Sequence, residues 1–253
     1  MRIKGILRGV GITLFWLGIW QLASLAIGSL FILPSPLETA LSLFVLAQQG
    51  SFWVAAFYSL LRILAGYLAA VLIGVLLGLI SAALPFANAL LKPLRSIMKA
   101  TPVASIILLV VLWIHTNYVP TFTAFVMVLP LIWANVQEGI RATDTQLLEM
   151  AKLFHFGKVK TFTMVYLPSI LPNLLAACAT GLGFAWKAGV AAEVLAHTPN
   201  SIGRSLIQSK YNLLTADMFA WTALVIAFSV LLEHAFVHLL GQIRRDGRWG
   251  VRE

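Results

Sequence analysis

Long apolar runs alternate along this chain with short polar stretches, and the runs are continuous rather than striped. Six can be read, at about residues 9–31, 56–83, 97–114, 121–139, 169–193 and 218–240. Each is near the roughly 20 residues that an α-helix needs to cross a hydrocarbon layer of ~30 Å. The pattern predicts an all-α integral membrane protein with six transmembrane helices in one domain over 1–253: a first helix at 9–31, a core at about 56–240 and a polar loop at about 140–172. The first run follows Arg2, Lys4 and Arg8. It has no small-residue cleavage site near Leu30, where Pro34 and Pro36 follow, so it reads as a retained helix rather than a signal peptide.

Two runs carry a finer pattern. Gly66, Ala70, Gly74, Gly78 and Ala82 recur every four residues in the second, and Gly181, Ala185 and Gly189 do so in the fifth. Lipid tails supply no hydrophobic drive for helix association, so small residues at this spacing mark faces where backbones approach closely. Both runs are assigned to buried interfaces, and a contact between two copies of the chain is one place for them.

Composition and charge narrow the class. With 60% hydrophobic and 11% charged residues and a mean hydropathy of +0.91, the chain is far from a soluble domain, whose charged share is about a quarter. The net charge of +9 does not point to nucleic acid, because the basic residues form short groups between the apolar runs. They set orientation instead. If the N-terminus is cytoplasmic, the inner side collects Arg2, Lys4, Arg8, Lys92, Arg95, Lys99, Arg141, Lys152, Lys158, Lys160, Arg244, Arg245, Arg248 and Arg252, which is 14 of the 18 Lys and Arg residues. Only Arg204 and Lys210 fall outside, with Arg62 and Lys187 near or within segments. The positive-inside rule therefore selects cytoplasmic N- and C-termini. The single cysteine, Cys178, excludes an intrachain disulfide framework.

The most informative polar interruption is Glu149 to Pro172, EMAKLFHFGKVKTFTMVYLPSILP. Just upstream, Thr143 or Asp144 can cap a short helix that places Leu147, Leu148, Ala151, Phe154 and His155 on one face. Gly157 permits a tight or left-handed turn, and a second helix from Lys158 to Tyr166 is bent by Pro168 and Pro172 as the chain re-enters the membrane. Two short helices joined by a sharp turn make a rigid knob that a soluble partner could grip. The bland alternative is a solvated linker lying on the membrane surface.

The same stretch resembles the "EAA" cytoplasmic loop of ABC importer permeases. Glu149 and Ala151 stand at the Glu and final Ala of that motif, Val165 at its apolar position, and Leu167 and Pro168 at its Leu-Pro. Met150 and His155 replace its middle Ala and its Gly. Leu33-Pro34-Ser35-Pro36, Ser59-Leu60-Leu61-Arg62 and Ala191-Ala192-Glu193 resemble the nitrate/sulfonate/taurine branch, which also includes bicarbonate and pyrimidine-precursor importers. The resemblance implies the membrane subunit of a type I importer in a bacterial inner membrane, working by alternating access. It implies ATPase subunits docking on Glu149, Ala151, His155, Gly157, Leu167 and Pro168, an extracytoplasmic solute-binding protein, and a second permease copy. No cofactor is expected in this chain, with ATP and Mg on the partner ATPase. His155 in place of Gly leaves the turn open between His155, a residue type enriched at positive φ, and Gly157.

The remaining chemistry is sparse. No G-x-x-x-x-G-K-[ST] loop is present, so ATP hydrolysis is assigned to another chain and this one is not read as an enzyme. In the spacing Glu233, His234, His238 the two imidazoles stand one turn apart and could bind a metal, but no third protein ligand joins that pair and no metal site is assigned. His115 and His197 fall in predicted outer loops. Lys187 lies in the middle of the fifth run, where a charge costs at least ~2.5 kcal/mol and usually faces a bundle interior or a water-filled cavity. With Glu193 it is assigned to a translocation path. The alternatives are a structural ion pair or snorkelling, and Glu193 lies about 240° around the helix from Lys187. A secondary transporter would need an inverted repeat and broken helices at the midplane. An intramembrane enzyme would need a converging catalytic set, and only Lys187 is firmly intramembrane. For the solute, the branch resemblance implies a small anionic or heteroaromatic compound.

Overall fold

A computed structural model describes residues 2–29 and 31–245, with side chains described over 10–29 and 31–238. Arg248 and Arg252, counted above on the inner side, lie outside the described residues. The first helix, α1 (Arg2–Ile27), ends at Gly28, whose φ of 65° is the left-handed conformation that a helix terminus takes most readily at glycine. Next comes α2 (Pro36–Ala47), opened by a capping box in which Ser35 Oγ accepts from the Glu38 N–H and the Glu38 carboxylate accepts from the Ser35 N–H. The run Leu33-Pro34-Ser35-Pro36 is thus a helix-start signal.

The long α3 (Gly50–Ala83) is followed by α4 (Pro85–Ala100), α5 (Val103–Val111) and α6 (Val119–Arg141). Then come the loop helices α7 (Thr145–Leu153) and α8 (Lys158–Thr161), a π turn (Phe162–Tyr166), α9 (Leu167–Leu195), α10 (Ile202–Tyr211) and α11 (Thr215–Arg245). No strand occurs among the described residues.

Among the described residues, five helical stretches are long and apolar enough to cross a membrane: Val10–Ile27, Gly50–Ala83, Val119–Arg141, Lys158–Leu195 and Thr215–His238. The sixth span, expected at 97–114, is broken. There α4 meets α5 at 100°. Pro102 drives Thr101 into an extended conformation (ψ 127°), because the proline ring clashes with a helical residue before it. At nine residues, α5 is only about 13 Å long, less than half of the hydrocarbon layer.

In the core, α6 runs between α3 and α9, joining Ile63, Tyr67 and Ala70 to Val128, Ile132 and Val136 and then to Leu182, Ala185 and Trp186. The small residues of α3 make this possible. A Cβ added at Gly66 would lie 2.1 Å from the Thr121 carbonyl oxygen, and one at Gly78 would lie 2.7 Å from Val136 Cβ. In α9, Gly189 is pressed against Ile63. These predicted interfaces therefore lie within one chain. On its other side α3 exposes Leu61, Leu68, Leu72 and Leu76, the surface expected against lipid. By contrast α1 is peripheral, held by Trp20, which packs on Phe219 at 5.8 Å and donates Nε1–H to the Pro34 carbonyl at 3.0 Å.

Candidate functional site

At the end of the bundle that the positive-inside count reads as cytoplasmic, called here the inner end, Asp144 caps α7 by accepting from the Gln146 N–H at 2.8 Å. Of the residues expected on one face, Ala151 turns fully inward and Leu148 half inward, whereas Leu147, Phe154 and His155 are exposed. Ala151 and the buried Val165 belong to two segments in contact, α7 and the π turn. The reversal falls on His155, at φ 52°. Gly157 is extended (φ −65°) and opens α8, so the choice left by the sequence is settled in favour of the histidine. The Phe156 N–H then donates to the Ala151 carbonyl at 2.8 Å, closing the turn.

Between α7 and the second helix lies a recess of about 520 Å³, lined by Ala151, Phe156, Phe162 and Tyr166 with Lys152 and Lys158. Outward from it stand large apolar side chains: Leu153 is 78% exposed, Phe154 71% and Val159 78%. Glu149 is exposed beside them. The entry to α9 is distorted. Pro168 has no N–H to give, and the Leu167 N–H bonds to the Phe162 carbonyl five residues back, which makes the π turn. Leu167 is half-buried and Pro168 exposed. One turn further, Gly139 of α6 touches Ile170, where a Cβ would come within 2.9 Å of Ile170 Cα.

Along α9 the two residues assigned to a path separate. Lys187 is exposed, on a face with Thr180, Phe184 and Ala191. Glu193 is fully buried and turned toward the rest of the chain. Its Oε2 accepts from Ser59 Oγ at 2.8 Å and from the Gly203 N–H at 3.1 Å, and its Oε1 has no partner. The two therefore do not share one face of α9, because six residues of helix place the carboxylate on the packed side and leave Lys187 on the exposed one.

The carboxylate anchors an outer hub. Ser59 Oγ also accepts from the Ile202 N–H at 3.0 Å, and Ser201 Oγ accepts from the Arg204 N–H at 3.0 Å, so the first three N–H groups of α10 are satisfied from α3, α9 and its own cap. Arg62 reaches the Asn200 carbonyl (3.2 Å) and Asn117 Oδ1 (3.4 Å). Two of the stretches that carried the branch resemblance thus meet in space. Sequence reasoning missed their partnership because Ser59 and Glu193 are 134 residues apart. It also missed the inner cluster in which Arg95 donates to Gln137 Oε1 and Gln137 donates to Asn88 Oδ1 at 2.8 Å, tying α4 to α6. His234 Nδ1 sits 2.9 Å from its own helix carbonyl of Val230, and no group of three metal-capable side chains forms among the described residues.

Residues 70–243 match the family described as binding-protein-dependent transport system inner membrane component. The chain belongs to that family. The permease is 26% identical to the putative aliphatic sulfonates transport permease SsuC of Bacillus subtilis, over 93% of this chain and 86% of that one. It is 25% identical to the taurine transport system permease TauC of Escherichia coli, over 85% and 80%. To a probable ABC transporter permease of Haemophilus influenzae it is 30% identical, over 95% and 96%. Among solved structures, the inward-facing MetNI methionine ABC transporter superposes with a TM-score of 0.61 at 17% identity, over 76% of the permease and 97% of that chain. At that identity the likeness speaks for the fold alone.

Proposed function

We propose that this permease forms the membrane path of an ATP-driven importer for a small anion of the sulfonate, nitrate or taurine kind, handed over by an extracytoplasmic binding protein. It works as one of two permease copies on two ATPase subunits, which hold ATP and Mg, with both termini cytoplasmic. The observation that carries the reading is the crown of Leu153, Phe154 and Val159 around α7. It is exposed on a basic loop that the positive-inside count places in the cytoplasm, where water disfavours such a patch unless a partner covers it. Glu149, Ala151, His155, Gly157, Leu167 and Pro168 shape and present this knob.

From the knob one helical stretch of 38 residues, Lys158–Leu195, runs past Lys187 to Glu193. Movement of a docked ATPase is carried along it as a rigid body, with the π turn and the Gly139–Ile170 contact at its inner end. The exposed face of α9 supports a path-lining role for Lys187, since Thr180 and Ala191 contrast with the leucines that α3 presents to lipid. An unpaired cation at that depth belongs against water or a partner rather than hydrocarbon. Glu193 holds the outer hub in place and is a positioning residue. The test is Lys187→Met, which keeps side-chain length and removes charge: uptake of an anionic solute is expected to fall at least tenfold, with assembly and ATP hydrolysis retained. Wild-type uptake in that variant removes Lys187 from the path.

A further inference from the structure

Where α3 ends at the inner side, one residue, Leu84, leads straight into α4, none of whose 16 residues is buried. Its two long faces are opposite in character. Phe86, Leu90, Leu94 and Ile97, at i, i+4, i+8 and i+11, form an exposed apolar face, with Phe86 79% exposed. Lys92, Ser96 and Lys99, at i, i+4 and i+7, are exposed on the other side. A narrow edge between the faces holds the helix to the bundle. There Met98 packs against the core, Asn88 and Arg95 bond to Gln137, and the Arg95 guanidinium stands 5.4 Å from the Trp133 ring centre.

Those contacts fix how α4 lies. Asn88 and Arg95 are about 10 Å apart along the helix axis, yet both reach the one side chain of Gln137, so α4 crosses α6 rather than running beside it. The 100° turn between α4 and α5 agrees, because α5 packs with Val119 and Val126 of α6. Gln137 lies about one turn before α6 ends at Arg141, on the side read as cytoplasmic. With α6 spanning the membrane, α4 lies along the membrane plane, at the inner boundary between hydrocarbon and water.

We infer that α4 is an interfacial helix that binds anionic phospholipid of the inner leaflet, with its apolar face among the acyl chains and Lys92 and Lys99 on the headgroup phosphates. Helices with this division of faces settle at a membrane surface, and basic side chains there are drawn to the negative potential of anionic lipid. Charge complementarity supports this occupant. No Asp or Glu occurs between Glu38 and Glu138, so neither α4 nor its neighbours α3 and α5 hold a carboxylate that could neutralise the lysines. Since Arg95 ties α4 to α6, a lipid held by Lys92 and Lys99 steadies the inner half of the broken span. The inference needs the orientation set by the positive-inside count and not the importer reading.

The test uses the purified full chain in phosphatidylcholine nanodiscs with a rising share of phosphatidylglycerol. The melting temperature of the wild type is expected to rise with that share. Lys92→Gln/Lys99→Gln is expected to melt with the wild type in pure phosphatidylcholine and to need about fivefold more phosphatidylglycerol for the same rise. Removing two other inner charges, in Lys152→Gln/Lys158→Gln, is expected to leave the response near that of the wild type. A wild-type response in the first pair overturns the inference, and so does an equal loss in both pairs, which makes the effect one of net charge. Inorganic phosphate added to phosphatidylcholine nanodiscs is expected to give no rise; a rise there makes the lysines a site for soluble anions and also overturns it. Placement is read independently of the lysine variants, with a nitroxide at Leu90 or at Ser96 in a Cys178→Ala background. Oxygen is expected to relax the label at Leu90, and a water-soluble nickel chelate the label at Ser96. Nickel reaching both positions means that α4 lines an aqueous path, and neither agent reaching either means that protein covers it; each result overturns the inference.

Discussion

The two ends of the permease are finished in opposite ways. The outer end is tied by hydrogen bonds between residues far apart in sequence: Ser59 to Glu193, Arg62 to Asn200, Thr198 to the Thr116 carbonyl, Ser42 to Asp217. In the inner loop, by contrast, the side-chain hydrogen bonds of residues 143–163 all reach five residues or fewer, as from Thr161 to the Phe156 carbonyl or from the Gln146 N–H to Asp144. That loop is shaped locally and leaves Leu153, Phe154 and Val159 uncovered. The outer end ties its polar groups to one another, with Glu193 Oε1 the buried exception; the inner end keeps apolar surface for another subunit in the proposed importer. A substitution should therefore damage the outer end through stability and the inner end through assembly.

The largest effect is expected at Gly203, where an added Cβ would lie 2.4 Å from Glu193 Cβ and 2.5 Å from the Val194 nitrogen. Gly203→Val should destabilise by about 3 kcal/mol or more, since backbone cannot yield as a flexible side chain can. Glu193→Ala should follow, at about 1–3 kcal/mol for each buried donor left unpaired. Thermal melting of the purified complex checks both. Melting unchanged by either would mean the outer end is not held from within.

A sharper contrast comes from placing one carboxylate at two nearby positions of the inner loop. Ala151 is buried, so Ala151→Asp should open the loop locally, at a cost on the order of 3 kcal/mol, and expose it to protease while the spanning helices stay inserted. Phe154 is exposed, so Phe154→Asp should leave stability within about 0.5 kcal/mol and yet lose the ATPase on co-purification. If both lose the ATPase and neither becomes protease-sensitive, Ala151 is itself an interface residue. The smallest effect belongs to His155→Gly. Relief of the left-handed conformation is offset by the greater chain entropy of glycine, so the protease resistance of the loop should change by less than about 1 kcal/mol.

Much of this was legible in the sequence where the signal is local or periodic. Apolar run length announced the spanning helices. The small residues of the second run announced a closely packed face, which meets α6, and of the two expected caps, Thr143 or Asp144, it is Asp144 that starts α7. What was not legible depended on pairing at a distance. The broken span could have been suspected from Pro102, yet hydropathy averages over it. That Ser59 and Glu193 cap α10 together is invisible until α3 and α9 are side by side. Periodicity grouped Leu147, Leu148, Ala151 and Phe154 on one face of α7 but could not tell which of them turn inward, because apolar residues also cover the side turned to solvent.

The account rests on the inner loop coupling an ATPase to transport, and uptake into sealed vesicles tests it most directly. Vesicles holding the permease and its ATPase, supplied with solute-loaded binding protein, should accumulate solute only with ATP inside the lumen that corresponds to the cytoplasm, and Phe154→Asp should abolish this while the chain remains inserted. Accumulation driven by an ion gradient with the permease alone, or full ATP-driven accumulation in Phe154→Asp, would contradict it.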